Sequence, residues 1–205
     1  MSLLIESYRK SLHLLLILIP MIFIFLGRET TFFILLPITV FVVGMDYMRK
    51  KNPAIKTLFE KIFGTILRPH ELTGEKLCGS SWVFMGALLN FGIFSKEIAV
   101  TGFLILVISD AMASLVGKAV VSQKFYEKSV AGSAAFFLSA LAILIACGIS
   151  YHVGFSFYLF GIFTIFCVTL VEARPSFTGI DDNFSIPIIF AVVMSFFDIL
   201  WNYSY

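Results

Sequence analysis

Seven blocks of almost unbroken apolar residues, near 11–27, 30–47, 77–94, 97–118, 131–150, 153–171 and 184–201, are separated along this chain by short polar joints. Each block approaches the roughly 17 to 25 residues that a helix needs to cross a hydrocarbon core. The pattern predicts an all-α polytopic membrane protein of about seven transmembrane helices. Pro20 and Pro37 fall inside the first two blocks. They are expected to kink those helices rather than end them, since neighbouring helices can satisfy the carbonyls that proline leaves unpaired.

The joint after the second block, NPAIKTLFEKIFGTILRPHE, has its own periodicity. Asn52 can cap and Pro53 can take the first helical position, after which Ile55, Leu58, Phe59, Ile62, Phe63, Ile66 and Leu67 recur at helical spacing until Pro69. Lys56, Glu60 and Lys61 fall on the other face, so this amphipathic helix is expected to lie in the membrane interface rather than cross it.

Composition strengthens the membrane reading. The 205 residues are 59% hydrophobic and 14% charged, with a mean hydropathy of +0.96, which excludes an ordinary soluble domain. No linker, low-complexity tract or internal repeat divides the chain, so residues 1–205 are expected to form one integral membrane domain. The charged start MSLLIESYRKSLH runs into the first block without a small-residue cleavage pattern, which makes that block a retained span. Cys78, Cys147 and Cys167 lack metal or disulfide spacing and are expected to pack as small apolar residues, and His13, His70 and His152 are too dispersed to form a metal cluster. A net charge of +2 points to no nucleic-acid partner, and the oligomeric state stays open, a homodimer included.

Charge placement gives an orientation. With a cytoplasmic N-terminus, all but Arg28 and Lys96 of the 15 basic residues fall on the inner side, as the positive-inside rule requires. Glu6, Asp46, Glu60, Glu71, Glu75, Glu127, Glu172, Asp181 and Asp182 fall there too. Acidic residues contribute little to topology, so their clustering implies a polar site at the cytoplasmic face of the membrane.

Asp110, in VISDAMASLVGK, is the sharpest chemical signal. A carboxylate deep in a span costs about 2.5–3.5 kcal/mol on insertion scales, and is therefore expected to face the bundle interior, a partner or water. At ~1.5 Å per residue it stands roughly 12 Å from Lys118, within reach of the inner side. Ala113, Ser114 and Gly117 follow on the same face and let a helix or ligand approach closely. A purely structural aspartate, bonded to neighbouring helices, is the competing reading.

Two further clusters share that side. The loop through Lys118, Lys124, Lys128, Ser129, Gly132 and Ser133 offers ammonium groups, hydroxyls and free N–H groups at a helix start, a combination that suits phosphate. An ordinary basic loop with Ser129 as a cap, and Gly132 and Ser133 as packing residues, would look the same. In VEARPSFTGIDDNFSIP, Glu172, Asp181, Asp182 and Asn183 supply the oxygen ligands that Mg²⁺ takes together with substrate phosphates, unless Asp182 or Asn183 merely caps the last helix. Glu6, Arg9, Lys10 and His13 share one face of the first helix, and Arg68, His70, Glu71, Thr73 and Gly74 precede the third. Arg9, Lys10, His13 and Arg68 are accessory candidates for phosphate contact.

SDAMASLVGK, KSVAGS and VEA with DDNFSIP together resemble the polyprenol kinase family, which includes dolichol kinase, phytol kinase and the CTP-dependent diacylglycerol kinase. EsyRKslH, MDYMRKKNP and RPHELTG extend the resemblance over most of the chain, and CDP-diacylglycerol synthases carry a related pattern. The resemblance implies transfer of the terminal phosphoryl of CTP to a lipid hydroxyl with Mg²⁺, in a bacterial plasma membrane, with a membrane lipid and a nucleotide as partners. It assigns Asp110 and Asp182 to catalysis, Asp110, Glu172 and Asp182 to the metal, and Gly117, Lys118, Lys128, Ser129, Gly132, Ser133 and Asn183 to the nucleotide. A phosphatidate cytidylyltransferase is the nearest alternative. An ion-coupled transporter, with Asp110 as its ion site, is the alternative from another class.

Overall fold

A computed structural model describes residues 3–64, 67, 71 and 76–201. Helix α1 (Leu3–Leu14) passes through a 3-10 turn (Leu15–Ile17) into α2 (Leu18–Lys51). The tightened turn comes just before Pro20, whose missing N–H cannot complete the helical ladder there. Pro37 sits inside α2 without a break. The actual break is Gly27, with φ 78° and ψ 178°, a left-handed value that glycine adopts without strain. Residues 9–16 and 41–46 line one cavity, so the chain doubles back at this glycine.

Asn52 Oδ1 accepts hydrogen bonds from Ala54 N at 2.9 Å and Ile55 N at 3.4 Å, and Pro53 opens α3 (Pro53–Phe63) as its fixed φ favours. The amphipathic helix is therefore present, but it ends at Phe63, short of the expected run to Leu67. Helix α4 (Gly79–Ile93) follows, then α5 (Lys96–Leu104), a π-helical turn (Ile105–Ser109) and α6 (Asp110–Ala119) as one continuous rod. Helices α7 (Val130–Tyr151), α8 (Phe155–Ala173) and α9 (Asp182–Trp201) complete the bundle.

Among the described residues, five helical segments are long and apolar enough to cross a membrane: Tyr8–Lys51, Lys96–Ala119, Val130–Tyr151, Phe155–Ala173 and Asp182–Trp201. This all-helical set of long apolar segments marks a membrane protein, although the first segment contains the Gly27 bend and Gly79–Ile93 has only 15 residues. The rod of α5 and α6 is the centre of the bundle, because 72% of its apolar window is buried, against 22–39% for the other four. Phe91, Phe103, Phe136, Phe157 and Phe190 fill the core around it. Phe25, Phe33, Phe155 and Ile199 face outward, as expected of a surface solvated by lipid rather than water.

The helices meet where side chains are small. A Cβ on Gly102 would lie 2.8 Å from Phe190 Cδ1 and 3.3 Å from Pro187 O, so α5 and α9 cross at a spacing that only glycine permits. One departure from all-α structure is a two-residue antiparallel ladder, β1 (Lys124–Phe125) with β2 (Lys128–Ser129), in the joint between α6 and α7. Tyr126 makes its turn possible with φ 55°.

Candidate functional site

Asp110 opens α6 directly after the π turn and is buried. Two side chains of α1 cover it: Lys10 Nζ donates to Asp110 Oδ2, and His13 Nε2 lies 3.8 Å from the same oxygen. The stripe of polar residues on the first helix thus meets the deep carboxylate of the fifth block's predecessor across about a hundred residues of chain. All three side chains are almost wholly removed from solvent, so each charge depends on the others.

A second ion cluster lies within electrostatic reach. The hairpin holds Lys128 with its Nζ 3.1 Å from Glu172 Oε1 at the end of α8 and 3.7 Å from Asp182 Oδ2 at the start of α9. Asp182 is favourably placed in a first helical turn, whereas Glu172 sits at the unfavourable end of its helix dipole and depends on the lysine. Burial alone would lower the Lys128 pKa, but Asp182, Glu172 and Asp110 outweigh it and the pKa is raised. Glu127 N bonds Ala173 O at 3.0 Å, Ser176 Oγ donates to Glu127, and the Arg174 guanidinium lies over the Tyr126 ring, which fixes the hairpin above the end of α8.

Around Lys128 opens a cavity of about 460 Å³ lined by Arg9, Ser114, Gly117, Lys118, Lys124, Glu127, Ser129, Gly132 and Glu172. Its basic side chains come from α1, α6 and the hairpin. Its floor is the crossing of α6 with α7, where a Cβ on Gly117 would lie 2.8 Å from Ser129 Oγ and one on Gly132 would lie 2.9 Å from Ala113 O. Small residues in both helices let the backbones touch beneath the cations.

Several expected roles are changed by this geometry. Ser129 Oγ accepts from Gly132 N at 3.1 Å and is the cap of α7, and Ser133 Oγ donates to Glu172 Oε2 at 3.4 Å and does not line the basic cavity. The last helix is capped by neither Asp182 nor Asn183. Asp181 Oδ1 accepts from Asn183 N at 3.0 Å, which leaves the Asp182 carboxylate to Lys128. Asn183 Nδ2 bonds Asp181 Oδ1 at 2.6 Å, and Asn183 lines a different cavity from Lys118, Lys124 and Lys128. Asp110, Glu172 and Asp182 do not form a single ligand set. Among the described residues, no group of three Asp, Glu, His or Cys side chains is arranged to hold a metal ion. Arg68, His70, Thr73 and Gly74 lie outside the described residues.

One buried network escaped the sequence reading. Asp46 takes Arg49 Nε at 2.5 Å on one oxygen, and Cys78 N at 2.6 Å and Ser81 Oγ at 2.7 Å on the other. Arg49 then donates to Glu71 O at 2.7 Å, and Glu71 Oε1 accepts from Gly79 N at 2.7 Å. This staple ties the end of α2 to the start of α4. The Asp46 and Arg49 spacing of i, i+3 at the end of an apolar block was the available signal.

Beside the staple is a larger cavity of about 600 Å³, lined mostly by apolar residues of α1, α2, α3 and α4. Lys10, His13 and Asn183 stand in its wall, and Arg9 lines both cavities.

Over 195 residues, the chain is 34% identical to an uncharacterized protein of Rickettsia prowazekii (strain Madrid E), covering 94% of each chain. The two belong to one family. The chain is also 28% identical over 179 residues to the CTP-dependent diacylglycerol kinase 1 of Eremothecium gossypii, a match that covers 76% of this chain and spans 55% of that protein. No family model matches the chain, and no solved structure matches it significantly.

Proposed function

We propose that this protein is a membrane-bound lipid-alcohol kinase of the polyprenol kinase type, using a nucleoside triphosphate, CTP, as donor. The observation that carries the reading is a cavity lined by Lys128 and Glu172 together with Arg9, Lys118 and Lys124, with Asp182 paired to Lys128 beside it. Phosphoryl transfer asks little more of a protein than charge neutralisation and in-line positioning. The similarity to a CTP-dependent diacylglycerol kinase supports the same class of reaction.

In this reading the basic cavity holds the triphosphate. The lipid hydroxyl oxygen bonds to the γ-phosphorus, the bond from that phosphorus to the β–γ bridging oxygen breaks, and its electron pair leaves with CDP. The hydroxyl proton passes to a carboxylate of the cluster, Asp110 or Asp182. Glu172 and Asp182 already share one positive charge, that of Lys128, and two carboxylates plus phosphate oxygens are a donor set that suits Mg²⁺. The ion would neutralise charge developing on the phosphoryl oxygens. Asp110 is held by Lys10 and His13, and we assign it to positioning α1 over the cavity as well as to the proton.

We further read the bundle as seven crossings. The two arms on either side of Gly27 and the short α4 count as spans, and the N-terminus and the site lie on the cytoplasmic side. Arg28 Nη2 donates to Phe94 O at 2.6 Å and Lys96 Nζ to Ile24 O at 3.2 Å, so the two basic residues expected outside meet at the Gly27 turn.

The test supplies the purified protein with CTP labelled at the α or the γ phosphorus, Mg²⁺, and diacylglycerol, a polyprenol or phosphatidate. Label from γ in the lipid is the expected result, reduced on the order of 10²-fold or more in Lys128→Met. Label from α makes the protein a cytidylyltransferase, and no transfer from either position refutes both.

A further inference from the structure

The apolar cavity adjoins the basic one at Arg9 and is bordered by Lys10, one member of the buried ion pair. Leu12 of α1, Leu16 of the 3-10 turn after it, Val42 and Met45 of α2, and Phe59 and Ile62 of α3 give it a hydrocarbon lining. Asp46, which also borders it, has both oxygens engaged by Arg49, Cys78 and Ser81, so that wall offers a ligand little polarity. Other polar side chains border it, Arg9, Lys10, His13, Glu71 and Asn183 among them. Lys10 and His13 line the cavity and contact Asp110. A ligand suited to this space is apolar over most of its surface and carries a polar group.

We propose that this cavity seats the hydrocarbon tail of the acceptor lipid alcohol, with its hydroxyl at Lys10 and His13 and with α3 as the wall through which it enters from the bilayer. The orientation of the hydroxyl rests on the kinase reading. Arg9 borders both cavities, so the space for the tail and the space beside Lys128 adjoin at α1. The two reactants would then meet across Lys10 and Asp110. Helix α3 is suited to be the movable wall. It is amphipathic, with Leu58, Ile62 and Phe63 exposed, and it follows α2 at the Asn52 cap, with Phe59 under the Arg49 guanidinium at 4.9 Å. A cavity of about 600 Å³ falls in the ordinary range for small-molecule sites and binds by removing apolar surface from water or lipid disorder.

Diacylglycerol and polyprenol tails share this chemistry, and the experiment separates them. The protein, reconstituted in phosphatidylcholine vesicles, is irradiated with either of two probes, a diacylglycerol or a polyprenol carrying a diazirine in its tail, and the adducts are mapped by mass spectrometry. One probe is expected to label residues 41–45 and 59–63, and its own unlabelled alcohol should compete it away while the other alcohol does not. Val42→Trp, which fills the cavity, should reduce that labelling at least tenfold. Adducts confined to outward residues such as Phe25, Phe33 and Phe155, or labelling that Val42→Trp leaves unchanged in protein of unaltered thermal stability, overturn the proposal. The wild-type map decides the matter if the variant does not fold. Phosphoryl transfer with adducts elsewhere refutes this site and spares the kinase reading. Adducts here without transfer do the reverse.

Discussion

Removing the Lys10 ammonium by Lys10→Met leaves Asp110 with the His13 ring at 3.8 Å and the more distant Lys128 as its remaining ammonium partner. Both members of the pair have side chains no more than 6% exposed, so water cannot replace what is lost. At contact, about 3 Å, and with an effective dielectric of about 20, the attraction between them is on the order of 5 kcal/mol, most of which offsets desolvation. Breaking such a pair from one side destabilises a fold by about 3–5 kcal/mol, because the remaining charge stays buried. The residual attraction of Lys128 places the expected loss near the lower end of that range, about 3 kcal/mol. Asp110→Asn should lose a similar amount by stranding the ammonium. The double variant strands neither charge, so its loss should fall short of the sum of the singles by about 2–3 kcal/mol. Equilibrium unfolding of the three variants in detergent measures this coupling. The double variant should also be folded yet inactive in phosphoryl transfer. Losses that add to within about 0.5 kcal/mol would show that the two groups do not depend on each other, and would remove the basis for treating α1 as part of the site.

Gly132→Ala must displace Ala113 O or Ser129 Oγ, which a Cβ would approach to 2.9 and 3.0 Å, and should lower stability by about 1–3 kcal/mol, whereas Gly44→Ala, with nothing within 4 Å, should be neutral or stabilising; thermal unfolding compares them. Burial, reinforced by Asp46, pushes the Cys78 thiol up to about 12, so alkylation by iodoacetamide at pH 8 should modify Cys167 well before Cys78. The raised pKa of Lys128 means that its ion pairs contribute fully below the ordinary lysine value of about 10.4 and are lost only as pH rises past it. Unfolding followed from pH 7 to 12 should therefore show an alkaline loss of stability that is smaller in Lys128→Met.

The helices were legible because a bilayer imposes a length on apolar segments and leaves few other ways to use them. Expected blocks at 97–118, 131–150 and 184–201 became rods ending within two residues of those bounds. Asn52 and Pro53 marked the start of α3 because a cap and a proline act locally, through atoms two or three residues away. The seven blocks gave five long helical segments because the bend at Gly27 falls within one helical run and α4 is short. Proximity in the site was less legible. Lys10 and Asp110 are 100 residues apart, and nothing in either neighbourhood specifies the other. The cap at Asp181 rather than at Asp182 turned on a shift of one residue, which in a helix turns a side chain by about 100° and decided which carboxylate faces Lys128. The hairpin left no trace because two-residue strands are shorter than any alternation that could reveal them.

The π turn at Ile105–Ser109 works as an angular spacer. It takes up one residue more than an α-helical turn would, so the segments before and after it keep faces that an unbroken α-helix of the same sequence would rotate apart by about 100°. Gly102 can then press against Phe190 while, eight positions on, Asp110 looks toward α1. Wind that turn into ordinary α-helix and the carboxylate swings away from Lys10 with no change in its depth. The azimuth of this buried charge is thus set by the five residues just upstream, four of them apolar.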